Sequence, residues 1–336
     1  MRVGILAPIA WRTPPEHYGP WEQVTSLLTE GLVARGVDVT LFATGDSLTS
    51  ARLEWVCPEP YAEDPQRDGR VWEAMHVAHT LASSGKVDLI HNHLDWLPLA
   101  FSQFCTCPMV TTIHGFSDPA ILPAYQASKS TFVSISDADR APGLTYLRTV
   151  HHGVDLTALP FSACGGEDLV VLGRIHPDKG TGEAIAISRL AGRRLVIAGI
   201  IQDQHYFDTQ VRPFVDDDQV VYLGSVGPAR RAEILRGARA LLHPIAFAEP
   251  FGLSVVESMV CGTPVVAYPR GAMPEIIEPG RTGFLVTGVD DAAAAVERVG
   301  RLNRKTCHDI AARRFGADRM VDDYRAVYEQ VLGCGG

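Results

Sequence analysis

Short apolar runs alternate with longer amphipathic stretches from one end of the chain to the other. In the first half the runs predict strands at Val3–Ala7, Val39–Ala43, Leu89–His91, Met109–Ile113 and Phe132–Ile135. In the second half they predict strands at Leu169–Leu172, Leu195–Ala198, Val220–Leu223, Ala240–His243, Pro264–Ala267 and Phe284–Val286. Apolar positions at helical spacing predict helices at Trp21–Arg35, closed by Gly36, and over Arg70–Ser83. Further helices fall near Lys179–Ala191, Ala229–Gly237, Gly252–Cys261 and Ala292–Arg301. Strand and helix in regular alternation is the pattern of α/β domains built on parallel sheets. No internal repeat or low-complexity stretch interrupts it.

At 336 residues the chain exceeds what a single core usually supports, so two domains are expected. The break is placed in the loop-like stretch Leu159-Pro-Phe-Ser-Ala-Cys-Gly-Gly-Glu167. This gives a first domain of 1–160 and a second of 161–314. The final segment, Phe315–Leu332, repeats Met320, Tyr324, Val327 and Val331 at helical spacing, and 315–336 is assigned to the first domain. The expected fold class is α/β, with two Rossmann-like doubly wound domains facing a cleft. Ligands of such sheets bind beyond the carboxyl ends of the strands.

Composition removes several function classes. A net charge of −9 argues against a nucleic-acid partner, which would need clustered Lys and Arg. The opening Met1-Arg-Val-Gly-Ile-Leu-Ala-Pro8 reads as a strand rather than a signal peptide, and no apolar stretch reaches the length of a membrane span. The seven cysteines are odd in number and contain no CxxC pair, which suits reduced thiols in a cytoplasmic protein. His91-Asn-His93-Leu-Asp95 carries metal-like residue types without a third well-spaced ligand set, so no metal is assigned. Asp216-Asp217-Asp218 is read as a polar turn. No GxGxxG follows the first strand and no GxSxG is present, which disfavours a dehydrogenase and a nucleophile-elbow hydrolase.

The most informative stretch is Glu249-Pro-Phe-Gly-Leu-Ser-Val-Val-Glu257. It sets one carboxylate in a turn before a predicted helix and the second on that helix, with Pro250 in the first helical turn. The amides around Phe251, Gly252 and Leu253 form a helix N-terminus that favours an anion. Two acids for hydroxyls and a helix end for phosphate suit an elongated ligand of the nucleotide-sugar kind. Arg174 follows a strand and Lys179 opens the next predicted helix, so both can meet negative charge at a strand end. His114 ends the strand Met109–Ile113 and is followed by Gly115.

The same stretch resembles family 4 of the glycosyltransferases, whose signature is two glutamates with seven residues between them. Gly173-Arg174-Ile-His-Pro-Asp-Lys179-Gly180 is similar to that family's GRxxPxKG segment. His152-Gly153-Val154-Asp155 resembles its NGvD turn, with His in place of Asn. Arg270-Gly271-Ala-Met-Pro-Glu275 resembles GGxpE, and Gly283-Phe284-Leu285-Val286 its GfLv strand. Tyr18-Gly19-Pro20-Trp21-Glu22 resembles the family's GGxE loop, with Pro20 replacing the second glycine and removing its N–H.

The resemblance implies a GT-B fold, a last helix crossing back onto the first domain, and a retaining, metal-independent transferase. Such an enzyme moves a sugar from a UDP- or GDP-linked donor to a hydroxyl of a small-molecule or glycan acceptor. His114, Arg174, Lys179 and Glu249 would then be catalytic. Gly19, Arg174, Lys179, Phe251, Gly252, Leu253 and Glu257 would bind the donor, with Glu257 on the ribose hydroxyls. No cofactor is implied beyond the donor itself. The alternatives are a nucleotide-sugar epimerase or hydrolase on the same architecture, and a non-catalytic subunit that only binds nucleotide sugar.

Overall fold

The computed structural model describes residues 1–115 and 118–333. The chain divides into two compact units, Met1–Gly153 with Ala317–Gly336, and Val154–Gly316. The division falls at Gly153, upstream of the loop from which the boundary at 160 was expected. Val154 goes with the second unit because its N–H bonds the Phe315 carbonyl at 2.9 Å and it forms a parallel bridge with Gly316.

The first unit carries β1 (Arg2–Leu6), β2 (Asp38–Phe42), β3 (Arg52–Glu54), β4 (Leu89–Asn92), β5 (Met109–Ile113), β6 (Thr131–Ser134) and β7 (Tyr146–Thr149). They form a parallel sheet in the order β3-β2-β1-β4-β5-β6-β7. The second unit carries β8 (Leu169–Leu172), β9 (Leu195–Ala198), β10 (Val220–Tyr222), β11 (Ala240–His243), β12 (Val265–Ala267) and β13 (Gly283–Leu285). These are also parallel, ordered β10-β9-β8-β11-β12-β13. Both sheets are doubly wound, and the strand order reverses between β1 and β4 in one and between β8 and β11 in the other. That reversal opens a crevice at the carboxyl ends of the two central strands.

The central strands are buried along their whole length, as a sheet covered on both faces requires. Leu6, Phe42, Val77, Ile90 and Ile113 anchor one core, and Leu169, Ile185, Ile197, Leu242 and Val296 the other. Two strands were not anticipated, β3 and β7, the edges of the first sheet. Their residues are exposed or half-buried and include Arg52, Glu54 and Arg148, so they carry no apolar run. The final helix spans Ala317–Val331, and Arg35 at the end of helix Pro20–Ala34 pairs with its Asp318 and Asp322 at 2.9 and 2.7 Å. No helix among the described residues is long and apolar enough to cross a membrane.

Helix Arg304–Phe315 was also missed. Charged residues dominate it, and its one start signal is Asn303, which accepts the Thr306 N–H at 3.0 Å. Its half-buried Arg304 donates to the carbonyls of Ser162, Ala238 and Arg236 and to the Thr263 hydroxyl, all at 2.7–2.9 Å. Arg304→Ala should therefore destabilise the second unit by about 2–3 kcal/mol, because buried acceptors lose their donor together. Arg304→Lys should recover only part of this, since an ammonium lacks the planar fork. Urea unfolding midpoints of the two variants against the parent check it; equal midpoints would refute it.

Candidate functional site in the second unit

β8 and β11 are neighbours at the reversal point, and the segments leaving their carboxyl ends carry the charged residues. After β8, Gly173 turns the chain, Arg174 follows, and Pro177–Lys179 forms a single 3-10 turn. The His176 ring accepts the Asp178 N–H at 3.3 Å. Lys179 thus closes this turn and does not open the helix as expected. Gly180, in the left-handed region, caps the helix proper, which runs Thr181–Leu190. After β11 the chain passes through Pro244 to a loop holding Phe247 and Glu249. That loop is tied on both sides, by Ala246 N–H to the Asp178 carbonyl at 2.7 Å and Ala272 N–H to the Glu249 carbonyl at 2.8 Å.

Gly271 makes the second tie possible. At its φ of +57° a Cβ would stand 2.2 Å from the Glu249 carbonyl oxygen, so no other residue fits.

The two segments meet through charge. Lys179 Nζ donates to Glu249 Oε2 at 2.7 Å, with both side chains mostly buried, and sits 4.5 Å above the Phe247 ring. His243 Nε2, at the end of β11, lies 3.4 Å from the same oxygen. Burial alone pushes the Glu249 carboxyl up, but the His243 ring and the Lys179 charge outweigh it and hold the group at about 2. Glu249 is therefore ionised at any physiological pH. Arg174 is half-buried and donates to Gln202 on the segment after β9.

Helix Leu253–Val260 begins beside this pair. Gly252 is its N-cap, at φ 92° and ψ 62°, and no side chain caps the end. Pro250 lies before the cap, because the left-handed Gly252 interrupts the helical run there. A Cβ on Gly252 would lie 3.6 Å from Glu249 Cγ, which places the helix start against the acid. Phe251 is buried and packs edge-on against Phe315 at 5.9 Å, so its side chain serves the core. Glu257, four residues into the helix, is buried and pairs with Arg231 of helix Pro228–Gly237 at 3.2 Å. Burial pushes its carboxyl above the ordinary carboxylate range, and Arg231 opposes that rise.

Of the residues expected to act together, Lys179, Glu249 and Gly252 are brought into one place. Arg174 leaves the same strand end, and Glu257 lies on the helix that starts there. The sequence analysis did not single out Arg231, Phe247 or His243. A histidine ending a buried strand and followed by proline was a usable signal for His243. Nothing local marked Arg231, whose partner is brought to it only by helix packing. Asp216 accepts three backbone N–H groups, from Asp218, Gln219 and Val220, at 2.8–3.0 Å, which makes its triplet a turn.

The first unit holds the remaining two candidates. Gly19 caps helix Pro20–Ala34 at φ 152°. Behind it Glu22 is buried, accepts the Trp11 N–H at 3.3 Å, and is pushed up by burial to about 7. His114, at the end of β5, stacks on Trp21 with ring centres 5.1 Å apart. Its Nε2 faces His93 Nδ1 at 2.9 Å and its Nδ1 faces His152 Nε2 at 3.3 Å. His93 Nε2 continues to His91 Nδ1 at 3.2 Å, and His91 Nε2 to the Thr112 hydroxyl at 2.8 Å. Burial holds His114 at about 3, and His91, His93 and His152 well below their ordinary value.

A neutral imidazole offers one donor and one acceptor, so His114 must donate to one of its two histidine neighbours and accept from the other. The His114 ring is thereby committed to its neighbours. Among the described residues no group of three or more His, Cys, Asp or Glu side chains is arranged to hold a metal ion.

Comparison with known proteins bears on the family and the fold. Residues 164–314 match the family described as glycosyl transferases group 1, and residues 22–157 match glycosyltransferase family 4. A glycogen synthase of Mycobacterium tuberculosis is 28% identical over 87% of this chain and 84% of its own length. A D-inositol 3-phosphate glycosyltransferase of Mycolicibacterium smegmatis is 30% identical over 77% of this chain and 65% of its own. The crystal structure of AviGT4, a glycosyltransferase involved in avilamycin A biosynthesis, superposes with a TM-score of 0.78 at 24% identity, covering 100% of this chain and 98% of that one.

Proposed function

Because the chain belongs to the family 4 glycosyltransferases and has their GT-B fold, we propose that it is a retaining enzyme using a nucleoside diphosphate sugar. The donor is UDP- or GDP-linked, and the acceptor is a hydroxyl of a small molecule or glycan. The observation that carries this reading is the Lys179–Glu249 pair at the β8/β11 reversal, beside an uncapped helix N-terminus.

In this reading Arg174, Lys179 and the first amides of helix Leu253–Val260 receive the donor diphosphate. A lysine ammonium has three N–H groups, so Lys179 can keep Glu249 and still donate to phosphate. Glu249, ionised and anchored, accepts hydrogen bonds from hydroxyls of the transferred sugar. Glu257 accepts from the ribose, with Arg231 fixing the carboxylate. As the glycosyl–phosphate bond breaks, negative charge builds on the leaving diphosphate, and these fixed charges stabilise it. They stand where a metal would otherwise be needed, so the reading requires none.

The acceptor oxygen attacks the anomeric carbon from the face the diphosphate leaves, and a departing phosphate oxygen takes the acceptor's proton. The anomeric configuration is kept. The His114 ring, bonded on both sides, takes no proton in this scheme.

Calorimetry with a panel of UDP- and GDP-sugars should find one that binds, and NMR of the transferred sugar should show the donor's anomeric configuration. An inverted product would overturn the mechanism. Release of free nucleotide with no acceptor, unchanged when candidate acceptors are added, would replace transfer with hydrolysis.

A further inference from the structure

The first unit holds a pair of thiols that the sugar chemistry does not use. Cys105 and Cys107 flank Thr106, and their sulfurs lie 3.7 Å apart. Cys105 closes the 3-10 turn Ser102–Phe104, its N–H bonded to the Ser102 carbonyl at 3.1 Å, and Cys107 leads into β5. Thr106 is fixed between them, its N–H and hydroxyl meeting the Ser84 hydroxyl at 3.1 and 2.9 Å. Both cysteines are partly exposed, while Cys57, Cys261 and Cys307 are buried. Among the described residues no other cysteine is recorded within reach of a second sulfur; Cys334 lies outside them.

We propose that Cys105 and Cys107 form a thiol-redox site that closes reversibly to a disulfide in exchange with a low-molecular-weight disulfide. Closing the bond takes the sulfurs from 3.7 Å to the bond length of about 2 Å. The Cys105 thiolate attacks one sulfur of the small disulfide and expels a thiolate, leaving a mixed disulfide. The Cys107 thiolate then attacks the Cys105 sulfur and expels the second small thiolate. Two protein thiols lose two electrons, the small disulfide gains them, and the two thiol protons end on the two released thiols.

The environment assigns the roles. The contact between the sulfurs, in which either could donate, brings Cys105 down to about 6 with help from the Cys107 N–H and the Ser84 hydroxyl and against burial, while the same contact and burial drive Cys107 up. One sulfur is thus poised to attack, and its neighbour stays protonated until it resolves the adduct.

Trypsin releases Val87–Lys129, a peptide containing both cysteines and no other. After the reduced full-length protein is incubated with glutathione disulfide, this peptide should lose about 2 Da and resist alkylation, and dithiothreitol should restore it. Cys107→Ser should instead trap glutathione on Cys105, whereas Cys105→Ser should form an adduct at Cys107 at least about tenfold more slowly. A parent peptide that stays fully alkylatable would overturn the proposal, as would one that accumulates only glutathione adducts. Equal adduct rates in the two single variants would refute the assignment of attacking sulfur.

Discussion

Replacing Lys179 with alanine should lower kcat/KM for sugar transfer by about 10²–10³, the usual effect of removing one preorganised charge from a developing anion. The cause is local. Lys179 is held at 2.7 Å by Glu249 and lies over Phe247, so its position is set before the donor arrives. The variant also leaves Glu249 in a mostly buried place without its cation, which moves its carboxyl up, with the His243 ring still opposing the rise.

In the parent, Glu249 contributes stability that is fully present above the ordinary carboxylate value. It is lost as pH falls through 4.5 toward about 2, a difference on the order of 3 kcal/mol. Lys179→Ala should remove part of that acid-range dependence in the second unit, the His243 contact retaining the rest. Glu249→Gln, which keeps the shape and removes the charge, should slow transfer while leaving nucleotide affinity within a few-fold. Steady-state kinetics with calorimetry of the free nucleotide separates these effects. Parent-like turnover in both variants would remove the pair from the mechanism.

The second large effect is acid sensitivity of the first unit. Five of its histidines, His76, His91, His93, His114 and His152, are buried and held below 6.5, His76 at about 4 and His114 at about 3. As pH falls below 6.5 the unfolded chain takes up protons that the folded one refuses. Each such histidine then costs about 1.4 kcal/mol per pH unit, until its folded value is reached. Buried carboxylates oppose this. Glu22, raised to about 7, and Glu73 and Asp95, also raised by burial, hold protons in the folded state that the unfolded chain releases, and so favour folding as pH falls toward the ordinary carboxylate range.

Five imidazoles outnumber these carboxylates, so a net loss of stability is expected as pH falls from about 6 to 5. All five tryptophans, at 11, 21, 55, 72 and 96, belong to the first unit, so their fluorescence reports it alone. The denaturant midpoint followed this way should fall clearly from pH 7.5 to 5.5. An unchanged midpoint would show that the imidazoles are not held neutral.

Most of this architecture is written locally. A buried parallel strand must be an apolar run, and a helix between two such strands must carry an apolar stripe, so the central strands and the main helices are legible at residue resolution. Edge strands β3 and β7 escape because a strand paired on one side has less to bury. Helix Arg304–Phe315 escapes because Arg304, a charged residue, does the work of tying it to the strand ends.

The site shows the same division. The residue types and spacing of Arg174, Lys179, Glu249 and Glu257 pointed to diphosphate and hydroxyl recognition before any fold was known. The sequence alone determined two doubly wound halves and a short inventory of charged candidates. The tertiary structure decided that Lys179 and Glu249 share one hydrogen bond, that Arg231 answers Glu257, and that the His114 ring is spent on its neighbours. Pairing between residues far apart in the chain is set by strand order and helix packing, and no local pattern records it.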